Sequence, residues 1–270
     1  MSGPRCSTRI THLGVDFPLL SWTSAMQCWS FSLPAGKEGS CPMEDKSPNS
    51  ICSFCYAQTG YYCYDIVRQT QWRRFLWLRW GLRELGPAAV ASVFIHAIRK
   101  EASKKKLTYF RIHDSGDFFS VPYIIMWGRV IDALPNVLFM IPTRAWTLPK
   151  LDEALRSSLG QLNAVLIPSA RHFNDLPPDL PGYDRGSSAI TPDQLTRGPE
   201  QKTWKGYWIC PKSRHHTSCE TEKCRRCWHL TRGDRRGPRG VVYVQHAYPI
   251  TPKIKKKRIL TAKTTMETPA

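Results

Sequence analysis

Residues 107–144 read LTYFRIHDSGDFFSVPYIIMWGRVIDALPNVLFMIPTR, and this stretch decides the fold. Its pattern predicts a strand at Leu107–His113, a helix at Val121–Leu134 and a buried strand at Val137–Ile141. A helix between two consecutive strands is typical of a βαβ unit, whose strands run parallel and whose crossover is right-handed. The stretch therefore predicts an α/β fold built on a mainly parallel sheet.

The same alternation continues on both sides of this stretch. Before it, the sequence predicts a strand at Cys28–Leu33 and helices at Ile66–Leu85 and Ala88–Ala102. After it come a predicted helix at Leu148–Leu159 and short strands at Ala164–Ile167, Ser187–Ile190, Tyr207–Cys210 and Val241–Gln245. Six or seven strands in one domain indicate either a partial (β/α) barrel or an open, mainly parallel sheet with a cysteine-rich, metal-binding C-terminal segment.

Changes in composition divide the chain into four parts. Residues 1–27 form an N-terminal extension of little periodicity, and residues 28–205 form the α/β core with a first cysteine loop. Residues 206–248 form a four-cysteine metal-binding segment with the last strand. Residues 249–270 are basic and polar, and we expect this tail to be disordered.

The charge balance is strongly basic. The 270 residues carry 39 Lys and Arg against 21 Asp and Glu, a formal net charge of +18. Such a charge favours nucleic acid or another polyanion as a partner. Solvated surface and a basic tail explain the charge equally well. A basic pocket could also bind an anionic small molecule. No apolar run is long enough to span a membrane and no signal peptide is visible, so we expect no membrane association and a cytoplasmic location.

Eight of the ten cysteines fall into two groups. In the first, Cys41, Cys52 and Cys55 share one loop, and three thiolates can bind iron or zinc while leaving one coordination position open. Cys63 could supply a fourth ligand or lie buried, and the alternative for the whole group is a set of incidental buried thiols. The metal that we expect is a [4Fe–4S] cluster or zinc.

The second group lies within 18 residues near the C-terminus, with little apolar sequence between its members. Four sulfur ligands are typical of a closed structural site that holds zinc or an auxiliary iron–sulfur cluster. Three histidines are alternative ligands, and the sequence does not choose between the two metals. The predicted ligands are Cys210, Cys219, Cys224 and Cys227, with His215, His216 and His229 as the alternatives.

Two polar motifs follow predicted strands. The first runs from His113 to Phe119 and contains Asp114, Ser115, Gly116 and Asp117, which could contact a ligand or cap the following helix. The second contains Thr143 and Arg144, and Arg144 could grip a carboxylate or phosphate or belong to a plain surface loop. Because parallel strands end on the same side of a sheet, we expect both motifs to face the first cysteine loop.

These motifs, in this order, resemble the bacteriophage gene product 88 family, over roughly residues 30–246. The residues that carry the resemblance are Ser32–Gly36 with Cys41-Pro42, Cys52-x2-Cys55-Tyr56-Ala57, Phe110–Phe118, Thr143-Arg144, Cys210-Pro211, Cys219, Cys224-x2-Cys227-Trp228 and Val244-x-His246. The resemblance implies a phage-encoded protein that acts in the host cytoplasm.

The first loop and the two strand ends are also remotely similar to radical S-adenosylmethionine enzymes. Those enzymes use a partial (β/α) barrel, and three loop cysteines hold a [4Fe–4S] cluster whose open iron binds S-adenosylmethionine. Their usual spacing is Cys-x3-Cys-x2-Cys, whereas the first gap here has ten residues. The similarity implies that Cys41, Cys52 and Cys55 are ligands and that Asp117 and Arg144 are catalytic. The cofactor-binding residues that it implies are Asp114, Ser115, Gly116, Asp117, Thr143 and Arg144.

Two hypotheses of function follow. In the first, the protein is an iron–sulfur enzyme that acts on nucleic acid or nucleotides. In the second, it is a non-enzymatic nucleic-acid-binding protein with structural zinc sites, which suits its charge and its ten tryptophans.

Overall fold

Eleven strands and four α-helices make up the part of the chain that the computed structural model describes, namely residues 8–24, 26–104, 109–198, 200–211, 213, 224, 226–229 and 239–245. The strands are β1 (Arg9–His12), β2 (Val15–Pro18), β3 (Ser21–Thr23), β4 (Cys28–Phe31), β5 (Tyr109–Ile112), β6 (Leu138–Thr143), β7 (Ala164–Pro168), β8 (Ser187–Ile190), β9 (Thr203–Trp204), β10 (Tyr207–Ile209) and β11 (Val241–Val244). The helices are α1 (Asp65–Glu84), α2 (Gly86–Lys104), α3 (Val121–Asp132) and α4 (Pro149–Ser158).

The central sheet has the strand order β3-β4-β5-β6-β7, in which β4 to β7 are parallel and β3 is antiparallel to β4. A second sheet has the order β8-β11-β10-β9, and only its edge strand β9 is antiparallel. A parallel bridge between Ser169 and Ser187 links the end of β7 to the start of β8. The prediction of an α/β fold with mainly parallel strands is confirmed, and the sheets of the described residues do not close into a barrel.

Alternating side chains give the central sheet two apolar faces. Phe110, Phe139 and Leu166 belong to the large core that the helices cover. Their chain neighbours on the opposite face, such as Met140 and Val165, pack instead in a second cluster. Because successive strand residues point to opposite faces, a sheet covered on both sides has near-continuous apolar strands, as β6 and β7 do.

The second apolar cluster connects the two sheets. Trp228, from the cysteine-rich segment, and Val241 of β11 pack with Met140 and Val165 of the central sheet. Trp228 is only 1% exposed, and its ring lies 4.8 Å from that of Tyr109. The described part of the cysteine-rich segment therefore covers the sheet face that the helices leave open.

Local sequence explains where the helices begin and end. Gly86, the first residue of α2, has φ +79° where the chain turns out of α1, a conformation that glycine adopts at little steric cost. Pro122 stands in the first turn of α3, where its missing N–H costs nothing. Gly128 lets α3 approach α4, because a Cβ there would lie 2.6 Å from the carbonyl oxygen of Ser158.

The N-terminal residues have more structure than their weak periodicity indicated. β1 and β2 pair as an antiparallel hairpin, and β3 joins the central sheet through β4. The predicted disordered tail, residues 249–270, lies outside the described residues. No helix in the described ranges is long and apolar enough to cross a membrane.

Candidate functional site

Asp117 joins two strand ends at the carboxyl edge of the central sheet. It lies in the loop after β5, and its side chain is 7% exposed. Its Oδ1 accepts hydrogen bonds from the backbone N–H of Phe118 (2.8 Å) and the hydroxyl of Thr143 (2.6 Å). Its Oδ2 accepts one from the backbone N–H of Arg144 (2.8 Å). The carboxylate therefore holds the end of β6 against the loop of β5.

Ser115 and Gly116 pack against the chain that follows β4. The Ser115 hydroxyl donates to the carbonyl of Leu33 (2.8 Å), and the backbone N–H of Leu33 donates to the carbonyl of Ser115 (2.9 Å). Gly116 has φ +82°, and a Cβ there would lie 2.3 Å from Ser40 Oγ and 2.8 Å from Leu33 Cβ. The close approach that glycine permits here is to these two residues.

The first cysteine loop lies beside this edge. Ser50 Oγ accepts from the backbone N–H of Cys52 (3.1 Å) and so caps a short 3-10 turn, Ile51–Phe54. Cys52 is buried, and Arg144 Nη1 donates to its Sγ at 2.9 Å. The Arg144 backbone is bound to Asp117, so one residue links the cysteine loop to both strand ends.

The other two cysteines of the loop lie within electrostatic range of the same groups. Burial raises the pKa of the Cys41 thiol to about 12, and the charge of Asp117 raises it further. Burial also raises the pKa of Cys55, which interacts electrostatically with Arg144 and Cys52 as well as with Cys41. Cys41 and Cys55 are therefore protonated at neutral pH, and a bound metal would have to displace their protons.

A tyrosine–arginine–aspartate cluster fastens the cysteine segment to β5. Arg111 Nη1 donates to Asp114 Oδ1 (2.8 Å), and the Tyr62 hydroxyl donates to Asp114 Oδ2 (2.5 Å). The Tyr56 hydroxyl donates to the carbonyl of Asp114 (2.5 Å) and accepts from Arg111 Nη2 (3.3 Å). Among the described residues, the Asp114 carboxylate therefore forms an internal ion pair with Arg111 and accepts a hydrogen bond from Tyr62.

His113 is buried behind the strand end, with φ +65°. Its Nε2 lies 2.8 Å from the hydroxyl of Tyr123, and its Nδ1 has no hydrogen-bond partner among the described residues. Burial, with a smaller contribution from the charge of Arg111, lowers the pKa of His113 to about 3. The ring is therefore neutral throughout the physiological range.

The depressed pKa of His113 predicts acid sensitivity. The unfolded chain takes up a proton on this ring below about pH 6.5, whereas the folded chain stays neutral until about pH 3. Because the unfolded state then binds more protons, the free energy of unfolding falls as the pH is lowered from about 6.5 to 3, by up to ~1.4 kcal/mol per pH unit. Urea unfolding at a series of pH values should show a smaller decrease in the free energy of unfolding for His113→Asn, because the titrating ring is gone. Asparagine is chosen because it also tolerates a positive φ. Equal slopes in the two proteins would contradict this role.

The second cysteine group is described only in part. Cys210, Cys224 and Cys227 are half-buried, and Cys210 and Cys227 pack against the apolar cluster around Trp228. Cys219, His215 and His216 lie outside the described residues. Among the residues described, no three His, Cys, Asp or Glu side chains stand in a shell around a common metal position.

Comparison with known proteins decides the family. The family model for gene product 88 matches residues 8–239, most of the chain. The chain belongs to the gene product 88 family. Two gene 88 proteins, from Mycobacterium phages L5 and D29, are each 32% identical to it over 120 residues. That match covers 44% of this chain and 48% of each relative, so the chain spans about half the length of the curated relatives it matches. No solved structure matches the chain.

The resemblance to gene product 88 proteins is thereby confirmed. Of the predicted site residues, Cys41, Cys52 and Cys55 lie at the same edge as Asp117 and Arg144. Sequence reasoning assigned no role in the site to Arg111, Tyr56, Tyr62 or Ser40. The alternation in Tyr109–Ile112 could have singled out Arg111, because it stands at a position where a buried strand normally carries an apolar residue.

Proposed function

We propose that Cys41, Cys52 and Cys55 bind a [4Fe–4S] cluster in an enzyme of the radical S-adenosylmethionine type. The observation that carries the proposal is the contact between Arg144 and Cys52 Sγ at the carboxyl edge of parallel strands, within electrostatic range of Cys41 and Cys55. Ligand sites of open parallel sheets lie at that edge.

The chemistry of the donors fits such a cluster, although the three thiols do not stand around a common metal position, so loading would have to draw their sulfurs together. Iron–sulfur clusters are held by thiolates, and three cysteines leave one iron free for a ligand. The guanidinium of Arg144 would offset part of the negative charge that the thiolates acquire. The high pKa values of Cys41 and Cys55 imply that loading releases protons, so affinity should increase with pH.

The surrounding residues would position a ligand at the open iron. The cluster would supply an electron to that ligand. Arg144 carries a guanidinium suited to a carboxylate, and Asp117 orients Arg144 through its backbone N–H. Since the carboxylate of Asp117 already accepts three hydrogen bonds, we assign it to positioning within this site rather than to proton transfer.

Two coarser features support this reading. The bridge between Ser169 and Ser187, and the packing of Val241 against Met140, are consistent with two sheets that act together as a partial barrel. Cys210, Cys219, Cys224 and Cys227 would form an auxiliary cluster or zinc site. The phage origin of the relatives supports a role in the cytoplasm of an infected host.

Nucleic-acid binding is the second candidate function, either beside the first or in its place. The net charge of +18 favours it, and so does the exposure of Trp72 and Trp80 among arginines on α1. In that case the cysteines would hold structural zinc.

Metal content distinguishes the two functions. Protein purified and reconstituted without oxygen should be brown and contain about four irons and as many sulfides, or about eight with an auxiliary cluster. After reduction it should cleave S-adenosylmethionine to 5′-deoxyadenosine. A colourless protein with stoichiometric zinc would overturn the cluster and leave nucleic-acid binding as the function.

A further inference from the structure

The solvent-facing side of α1 carries large apolar and cationic side chains together. Trp72 is 36% exposed, Trp80 38% and Leu76 51%. Residues spaced by three, four, seven or eight along a helix fall on one face, so these side chains share a surface. We call it the α1 outer face, formed by Arg68, Trp72, Leu76, Arg79, Trp80 and Arg83.

Each of the two tryptophan rings packs against another aromatic ring and is also partly exposed to solvent. Trp72 meets Phe75 edge to face at 5.8 Å, and Trp80 lies 5.0 Å from the ring of His12 in the β1–β2 hairpin. Such support reduces the conformational entropy that a ring loses when a ligand stacks on it. The two tryptophans are eight positions apart in the sequence, which corresponds to about 12 Å along the helix axis.

The cations on this face outnumber the acids. Arg68, Arg79 and Arg83 are exposed, and the guanidinium of Arg79 lies 5.7 Å from the centre of the Phe75 ring. Asp65 and Glu84 stand only at the two ends of the helix, where Glu84 pairs with Arg83. A ligand on this face therefore meets arginines on either side of exposed rings.

The mixture of charge and rings selects one class of partner. The basic segment Lys253–Arg258 of this chain, or the same face of a second copy, would meet like charge. Duplex DNA would use the arginines but leave the rings without bases to stack on. A single strand offers phosphates and unstacked bases together, which is the pairing that basic, aromatic surfaces recognise.

We propose that the α1 outer face binds single-stranded nucleic acid, with bases stacked on Trp72 and Trp80 and phosphates on the arginines. The inference rests on the second proposed function, nucleic-acid binding, and assigns it a surface. Tyr61 and Tyr64, 65% and 61% exposed with rings 5.6 Å apart, extend the face towards the cysteine segment. A single-stranded nucleic acid bound along α1 would therefore extend towards the cysteine segment and the candidate site.

Fluorescence anisotropy of a labelled 20-nucleotide single strand of mixed sequence tests the proposal. The double variant Trp72→Ala/Trp80→Ala should bind about a hundredfold more weakly than the wild type, about tenfold for each ring. Trp72→Phe/Trp80→Phe should recover most of the affinity. Arg79→Ala/Arg83→Ala should lower the slope of log affinity against log salt by about 1.4, the value for two contacts with a single strand.

The control is Lys150→Ala/Leu162→Ala, which removes an exposed cation and an exposed apolar side chain outside α1 and should bind within twofold of the wild type. Thermal unfolding of every variant shows whether it is folded. If the wild type binds no nucleic acid at low salt, the second proposed function fails. If the wild type binds but the tryptophan variant binds equally well, only this surface is overturned. A preference for a duplex of the same sequence would also overturn it.

Discussion

Replacing Cys52 with serine should remove nearly all iron from the sheet-edge site of the anaerobically reconstituted protein. A cluster held by three thiolates has no spare protein ligand, and a serine hydroxyl is a poor substitute for a thiolate. Cys52 is also the cysteine whose Sγ contacts Arg144, so the variant removes that contact as well. Iron and sulfide analysis with the visible absorption spectrum measures the loss. Cys41→Ser and Cys55→Ser should have the same effect.

Cys63→Ser is the matched control for this experiment. Cys63 belongs to the same segment but is exposed, and its Sγ donates to the carbonyl of Gln58 at 3.2 Å. The variant should keep its iron and its spectrum. Loss of iron in Cys63→Ser would make Cys63 a ligand, and unchanged iron in Cys52→Ser would remove the proposed cluster from this edge.

Replacing Gly116 with alanine should lower the free energy of unfolding by about 2–4 kcal/mol. The glycine has φ +82°, which is costly for alanine, and the added Cβ would lie 2.8 Å from Leu33 Cβ. The Ser40 hydroxyl, 2.3 Å from that Cβ, could rotate away only by giving up its bonds to the Asp117 N–H and the Pro34 carbonyl. Urea denaturation at neutral pH measures the change.

Gly60→Ala is the control that separates the cost of a positive φ from the cost of steric overlap with neighbouring atoms. Gly60 also has a positive φ, +54°, but nothing lies within 4 Å of its added Cβ. This variant should lose only about 1–2 kcal/mol, the cost of the left-handed conformation. Equal losses in the two variants would show that the contact of Gly116 with Leu33 and Ser40 contributes nothing to stability.

The sequence by itself determined the central architecture. The predicted strand Leu107–His113 and helix Val121–Leu134 correspond to β5 (Tyr109–Ile112) and α3 (Val121–Asp132) within two residues at every end. Period-2 and period-3.6 patterns are local properties, and the parallel order of β4 to β7 follows from the helices between them. The ordered motifs also sufficed to identify the family.

The roles of the polar residues depend on contacts between distant parts of the chain. Asp117, predicted to be catalytic or a helix cap, accepts from Thr143 and Arg144, which lie 26 and 27 residues away in the chain. Sequence spacing carries no information about such partners, because the chain between them folds back through a whole helix and strand. For the same reason the partners of Arg111, which pairs with Asp114 and binds Tyr56 from the cysteine segment, could not be found from the sequence pattern.

The strand order of the second sheet is likewise a tertiary property. β11 inserts between β8 and β10, although it is the last strand in the part of the chain that the structure describes. Short strands such as β8 and β10 carry too few residues to specify their neighbours by pattern, so pairing is decided by which apolar faces can be buried together. Here Val242 and Val244 of β11 pack with Ile190 of β8 and Ile209 of β10 in one cluster, and the observed order, with β11 between the other two, buries these side chains together.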